Sequence, residues 1–148
     1  MAQHHLPRRA THEVRDRCLC LHVQRAARTL ARRFDAALKP FGLTNGQFSL
    51  LMSLNRAEPP RISDLAPFLA MDRTTLTAAL KPLARRGLVV AGTDAGDRRS
   101  KRLVLTDTGR DVLARALPVW RDTHDAIDRL LGGPDVADRL RTALEALR

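Results

Sequence analysis

The sequence predicts a mainly α-helical chain with one small β-hairpin, and three observations carry that prediction. Apolar residues recur in alternating steps of three and four along most of the 148 residues, which is the helical period. One segment departs from it: "LVVAG" and "RLVLT", two short runs rich in Val and Leu, flank a loop containing "DAGDRRSK", the signature of a hairpin. Short stretches marked by Pro and Gly ("KPFGLT", "AEPPR", "GGPD") punctuate the helical segments, with no internal repeat or low-complexity run. The length suits a single unit, 1–148, with enough chain to bury a core.

Taken in order, residues 12–39 read as a long helix. Cys20, Val23, Ala27, Leu30, Phe34, Ala37 and Phe41 form its apolar seam, and Arg15, Arg25, Arg28, Arg32 and Arg33 its cationic face. Pro40 and Gly42 end it. Thr44 then caps a second helix, "NGQFSLLMSLNR", that buries Phe48, Leu51, Met52 and Leu54. Ser63 is the expected N-cap of a third, with Asp64 in its first turn and Leu65, Phe68 and Leu69 as its buried edge. After a very short turn Asp72 caps a fourth, whose core contacts are Leu76, Leu80 and Leu83 and whose end is Gly87. Two short helices so closely joined make a helix-turn-helix, and the hairpin that follows is a wing.

Thr106 caps a fifth helix with Leu113, Leu117, Trp120, His124, Ile127 and Leu131 on its seam, which Pro118 is expected to interrupt and kink. Beyond "GGPD" a sixth carries Val136, Leu140, Ala143 and Leu147 on one side. Residues 44–106 are therefore a winged helix-turn-helix core, flanked by helical regions at 12–41 and 107–148. The flanking helices hold more apolar seam than a core of about 60 residues can cover. A homodimer built from the first, fifth and sixth helices accounts for the surplus.

Charge indicates the partner. With 26 Lys and Arg against 16 Asp and Glu, the formal net charge is +10, which calls for an anion such as nucleic acid. Eight basic residues and only two acidic ones, Asp94 and Asp97, fall between Arg73 and Arg102. Aromatic residues make up 3% of the chain and tyrosine is absent, which disfavours the stacking platforms of single-strand and RNA binders and leaves double-stranded DNA. No apolar run approaches the roughly 20 residues of a membrane span. The leading "MAQHHLPRRATHEVRDR" lacks the apolar centre of a secretion signal, so a cytoplasmic location is expected. No nucleophile-and-base set and no glycine-rich phosphate loop are found; neither an enzyme nor a cofactor is expected. Cys18 and His22 are spaced i, i+4, but without a second such pair they make no closed metal site.

In the fourth helix, Arg73, Thr74, Thr75, Thr77 and Lys81 are short or cationic and lie off the core face, as a helix reading the major groove requires. On the wing, Arg98 and Arg99 suit the minor groove, Lys101 and Arg102 the phosphates, and Asp97 is placed to brace the Arg99 guanidinium. The competing reading is a winged module that binds protein, its charges protecting a hairpin edge from aggregation. Trp120 and His124 are either interface residues or part of an effector pocket between the dimer helices and the winged core. Cys20 is either a small buried hydrophobe or an oxidant-sensitive thiol, and Cys18, on the polar side with His22 and Arg25, is expected to be the more accessible of the two.

Together, "GLTNGQFSLLMSLN", "MDRTTLTAALKPLARRGLV" and "GDRRSKRLVLTDTG" resemble the MarR family of bacterial winged helix-turn-helix regulators. The resemblance covers nearly the whole chain. Its most specific part is Asp97, Arg98 and Arg99 followed by Leu105, Thr106 and Gly109. It implies a homodimer on a pseudo-palindromic operator, usually a repressor, released by a small ligand or by thiol oxidation. The distance from Cys20 to "GLT" is similar to that of the reactive cysteine in the family's organic hydroperoxide sensing branch. That branch places tyrosines near the thiolate, where Phe34 and Asn45 stand here, so both readings of Cys20 remain open.

Overall fold

The computed structural model describes residues 6–147; part of the segment read for a secretion signal, and the last residue of the stretch expected as the sixth helix, lie outside that range. Among the described residues there are seven α-helices and one two-stranded antiparallel hairpin. The helix expected over 12–39 is in fact two. Helix α1 (Arg8–Arg17) stops at Cys18, whose backbone is extended (φ −71°, ψ 99°), and α2 (Leu19–Leu38) starts there. The Cys18 Sγ accepts the Leu21 amide at 3.4 Å, taking the place of the usual oxygen cap. A break made by a capping thiol leaves the apolar period intact, so periodicity reads straight through it.

A 3₁₀ turn at Lys39–Phe41 and a left-handed Gly42 (φ +67°) lead into α3 (Asn45–Ser53). Its capping is reciprocal: the Thr44 hydroxyl accepts the Gln47 amide at 3.2 Å, and the Gln47 side chain accepts the Thr44 amide at 3.1 Å. Helix α4 (Ile62–Phe68) starts earlier than expected. Arg61 is its N-cap residue, the Asp64 carboxylate accepts the Arg61 amide at 3.0 Å, and Ser63 lies exposed inside the helix. After the helix-turn-helix corner comes α5 (Arg73–Arg85), where Asp72 accepts the Thr75 amide at 2.8 Å.

Strands β1 (Val89–Thr93) and β2 (Lys101–Leu105) pair with Val89 opposite Leu105 and Thr93 opposite Lys101. The chain before α4 adds to the far side of β2, the Leu103 amide donating to the Pro60 carbonyl at 2.9 Å. Helix α6 (Asp107–Leu131) runs unbroken through Pro118, against the expected interruption, and ends at left-handed Gly132. Helix α7 (Pro134–Glu145) follows.

The core lies where α2, α3 and α6 meet the helix-turn-helix and the hairpin. Leu38, Leu51, Leu65, Leu76, Leu83 and Leu105 are its fully buried side chains. Phe68, expected on the buried edge of α4, is instead 54% exposed, with the Arg56 guanidinium 5.3 Å from its ring centroid. The start of α6 is fastened to the exit of α5. The Thr106 hydroxyl accepts the Gly109 amide at 3.0 Å and donates to the Gly87 carbonyl at 2.7 Å, while the Thr106 amide donates to the Leu88 carbonyl. Gly109 is buried in that joint. At the opposite end, Leu30 of α2, Leu130 and Leu131 of α6, and Leu140 and Leu144 of α7 are exposed. Cys20, placed by periodicity on an apolar seam, is exposed too.

Candidate nucleic-acid interface

Helix α5 turns Leu76, Leu80 and Leu83 into the core, so its 3.6-residue period leaves Arg73, Thr74, Thr77 and Lys81 around one outward depression. Among the described residues, the Arg73 and Lys81 side chains have no hydrogen-bond or ion-pair partner. Thr75 is exposed as well, but its hydroxyl donates to Asp72 at 2.6 Å and is engaged in the cap, not free for a ligand. That hydroxyl, with the Thr75 amide, holds the Asp72 carboxyl below its usual range.

The wing carries Arg98, Arg99 and Lys101 exposed and, among the described residues, with unpaired side chains. Asp97 does brace the loop, by a different contact from the one expected. Its carboxylate accepts the Arg99 backbone amide at 2.9 Å and the Ser100 hydroxyl at 3.0 Å, so it fixes the turn and leaves the Arg99 guanidinium free. Arg102 departs further from expectation. It donates to the Pro59 carbonyl at 2.7 Å and pairs with Asp94 at 3.3 Å, which makes it an internal strut of the wing and not an open phosphate contact.

Asp94 is 4% exposed and is the one buried charged residue among those described. It accepts the Gly96 amide at 3.1 Å and the Arg61 Nε at 2.7 Å, with the Arg61 Nη2 also on the same oxygen. The Gly96 amide, opposed by burial and supported by the Arg61 and Arg102 guanidiniums, holds this carboxyl below the usual carboxylate range. A depressed pKa means that the stabilisation is present above the unfolded value and is lost as pH falls through the folded one. Arg61 and Asp94 were not singled out from the sequence. They are 33 residues apart, and an acid just past the end of β1 has no local motif; the one available signal is an aspartate at the edge of a run otherwise dominated by cations.

A cleft joins the two cationic elements. Arg61 and Ser63 from the start of α4, Arg73 and Thr77 from α5, and Arg99 and Lys101 from the wing line it. The remaining candidates lie elsewhere. Trp120 and His124 pack on each other (ring centroids 4.2 Å apart), on Phe34 and, through Trp120, on Phe48. Burial lowers the His124 pKa, with Asp128 opposing. A cavity of about 250 Å³ opens nearer the start of α6, lined by Met52, Leu105, Leu113 and Leu117, without those two rings. Cys20 accepts from the Gln24 amide nitrogen at 3.2 Å and is exposed, whereas Cys18 is half-buried in its cap; the expected order of accessibility is reversed. Among the described residues no three His, Cys, Asp or Glu side chains converge to hold a metal, and no helix is long and apolar enough to cross a membrane.

Comparison with known proteins places this geometry. Residues 43–101 match the MarR family. Over 88% of this chain and 98% of the other, the sequence is 39% identical to the transcriptional regulator MosR of M. tuberculosis, solved in complex with DNA, with a TM-score of 0.76. The transcriptional repressor CouR bound to a 23-mer DNA duplex is 34% identical over 91% of this chain and 94% of that one, TM-score 0.82; CouR has also been solved with p-coumaroyl-CoA. The regulator SarZ of Staphylococcus saprophyticus is 28% identical over 97 residues, and the chain spans 66% of its length.

Proposed function

The chain belongs to the MarR family, and on that footing we propose that it is a sequence-specific, double-stranded DNA-binding transcriptional regulator acting in the cytoplasm as a homodimer. The observation that carries this reading is the set of exposed, unpaired cations that α5 and the wing present, Arg73, Lys81, Arg98, Arg99 and Lys101, of which Arg73, Arg99 and Lys101 line one cleft. Helix α5 enters the major groove with Arg73, Thr74 and Thr77 toward base edges, and Arg98 on the wing enters the adjacent minor groove. Two such helices in a dimer lie about 34 Å apart, one turn of duplex.

Fluorescence anisotropy on random-pool duplexes enriched by the protein, at several salt concentrations, tests the reading. The wild-type chain is expected to prefer the enriched duplex, and Arg98→Ala to weaken binding while lowering the salt slope by up to about 0.9 per subunit. No sequence preference at any salt concentration would favour the rival, a winged module that binds protein.

The exposed leucines of α2, α6 and α7 support the homodimer. Solution of CouR both with DNA and with p-coumaroyl-CoA supports a repressor released by a small ligand; the packing of Trp120 and His124 on Phe34 supports that ring cluster as the response site, and the exposed Cys20 offers thiol oxidation as the other trigger. Trp120 is the one tryptophan of the sequence, so an effector that releases DNA is expected to change its emission. Release by hydrogen peroxide that persists in Cys20→Ser would remove that thiol from the mechanism.

A further inference from the structure

The cleft between α4, α5 and the wing is more than a gap between two DNA-facing elements. Its mouth carries four cations, Arg61, Arg73, Arg99 and Lys101, together with the hydroxyl-bearing Ser63 and Thr77, and no carboxylate lines it. Three of the cations come from segments expected to contact DNA. Arg61 comes from the residue that begins α4, and it differs from the others in being held. Its Nε and Nη2 both bear on one oxygen of Asp94, whose other oxygen takes the Gly96 amide and Arg102. Nη1 has no such partner among the described residues, and the side chain is 38% exposed. A guanidinium fixed on one edge by a buried carboxylate has lost most of its rotamer freedom before any ligand arrives. Its remaining donors are thus presented at little further entropic cost.

We propose that this cleft is the seat of one DNA backbone phosphodiester, with Arg61 as its pre-positioned ligand and Asp94 as the positioning residue behind it. The inference rests on the DNA-binding reading and assigns it a contact that the sequence did not indicate. Chemically the site suits a tetrahedral oxyanion: an edge of a guanidinium can donate to one phosphate oxygen while Arg73, Arg99 and Lys101 neutralise the remainder. Because Arg61 is also bridged through Asp94 and Arg102 to β2, a phosphate seated here fixes the wing and the reading helix on the same strand of the duplex.

The prediction for Asp94 has a sign that simple electrostatics opposes. Removing an anion beside DNA by itself strengthens binding, whereas loss of the positioning residue weakens it. With the full-length chain and the duplex it selects from a random pool, Asp94→Asn is expected to bind several-fold more weakly than wild type. Arg61→Met is expected to bind about tenfold more weakly, with a salt slope lower by about 0.9 per subunit and an unchanged ratio of selected to scrambled duplex. Arg61→Lys, which keeps the charge, should restore the slope but not the full affinity.

Replacing single phosphates of the same duplex by methylphosphonates gives a readout that a purely structural role does not move. One position per half-site should cost wild type distinctly more than it costs Arg61→Met, whereas every other position should cost the two equally. If Arg61→Met proves misfolded by circular dichroism, Arg61→Gln, which also removes the charge, carries the same slope and coupling test. Undiminished salt slope and no coupled phosphate in the folded variant would overturn the proposal while leaving DNA binding intact. Absence of any sequence preference in wild type would overturn the reading beneath it.

Discussion

Gly109→Ala is expected to destabilise the protein by about 2 kcal/mol, the balance of about 3 kcal/mol for over-packing a site whose neighbours cannot withdraw against the gain in helix propensity. A Cβ at this position would meet the Leu88 carbonyl oxygen at well under van der Waals distance and the Leu105 Cδ1 at 2.7 Å. The leucine tip can rotate away. The carbonyl cannot, because it accepts the Thr106 amide and belongs to the chain leaving α5. Alanine's better helix propensity returns at most about 1 kcal/mol, which leaves a fall in melting temperature of several degrees. Gly46→Ala is the control: it lies in the first turn of α3 with nothing within 4 Å of the added carbon, and it should be neutral or stabilising. Thermal denaturation of both variants decides the matter, and equal melting temperatures would show that the joint at Gly109 is loose.

The second large effect concerns assembly. Leu130 is 72% exposed and Leu140 is 45% exposed, and both line a groove with Leu30 and Ile127 that nothing in a single chain fills. In the proposed homodimer a second copy covers it. Leu130→Lys combined with Leu140→Lys should therefore convert dimer to monomer in multi-angle light scattering. DNA affinity should fall toward the non-specific level, a loss on the order of 10³. Lysine is chosen because added positive charge by itself favours DNA, so weaker binding cannot be blamed on electrostatics. Retention of a dimer with wild-type affinity would show that this groove is not the interface.

Much of this architecture is legible in the sequence because it is written in local rules. Thr44, Asp72 and Thr106 cap helices since a short oxygen-bearing side chain reaches an amide three residues on, and each does so here. Leu76, Leu80 and Leu83 share a face for purely periodic reasons, and all three are buried. What escaped depends on partners distant in sequence. Arg102 looks like one more wing cation until the chain at Pro59 and the Asp94 carboxylate claim it from the other side of β2. Arg61 looks like part of a connector until the sheet brings Asp94 to it. Cys20 misled for a different reason. The apolar period of α2 is real, but it includes surface that this chain alone does not bury, and periodicity cannot say which chain supplies the cover.

The length of α6 ties these observations together. Its 25 residues make a rod about 37 Å long. One end is fastened by Thr106 and Gly109 to the exit of α5, and the other carries the leucines at which the subunits of the proposed dimer meet. In that proposed dimer such a rod would behave as a lever with its fulcrum at the subunit seam. A tilt of about 3° there displaces the far end by about 2 Å, comparable to the reach of a hydrogen bond. Small angular changes among α2, α6 and α7 would thus arrive at the DNA magnified, as a mismatch in register between two half-sites.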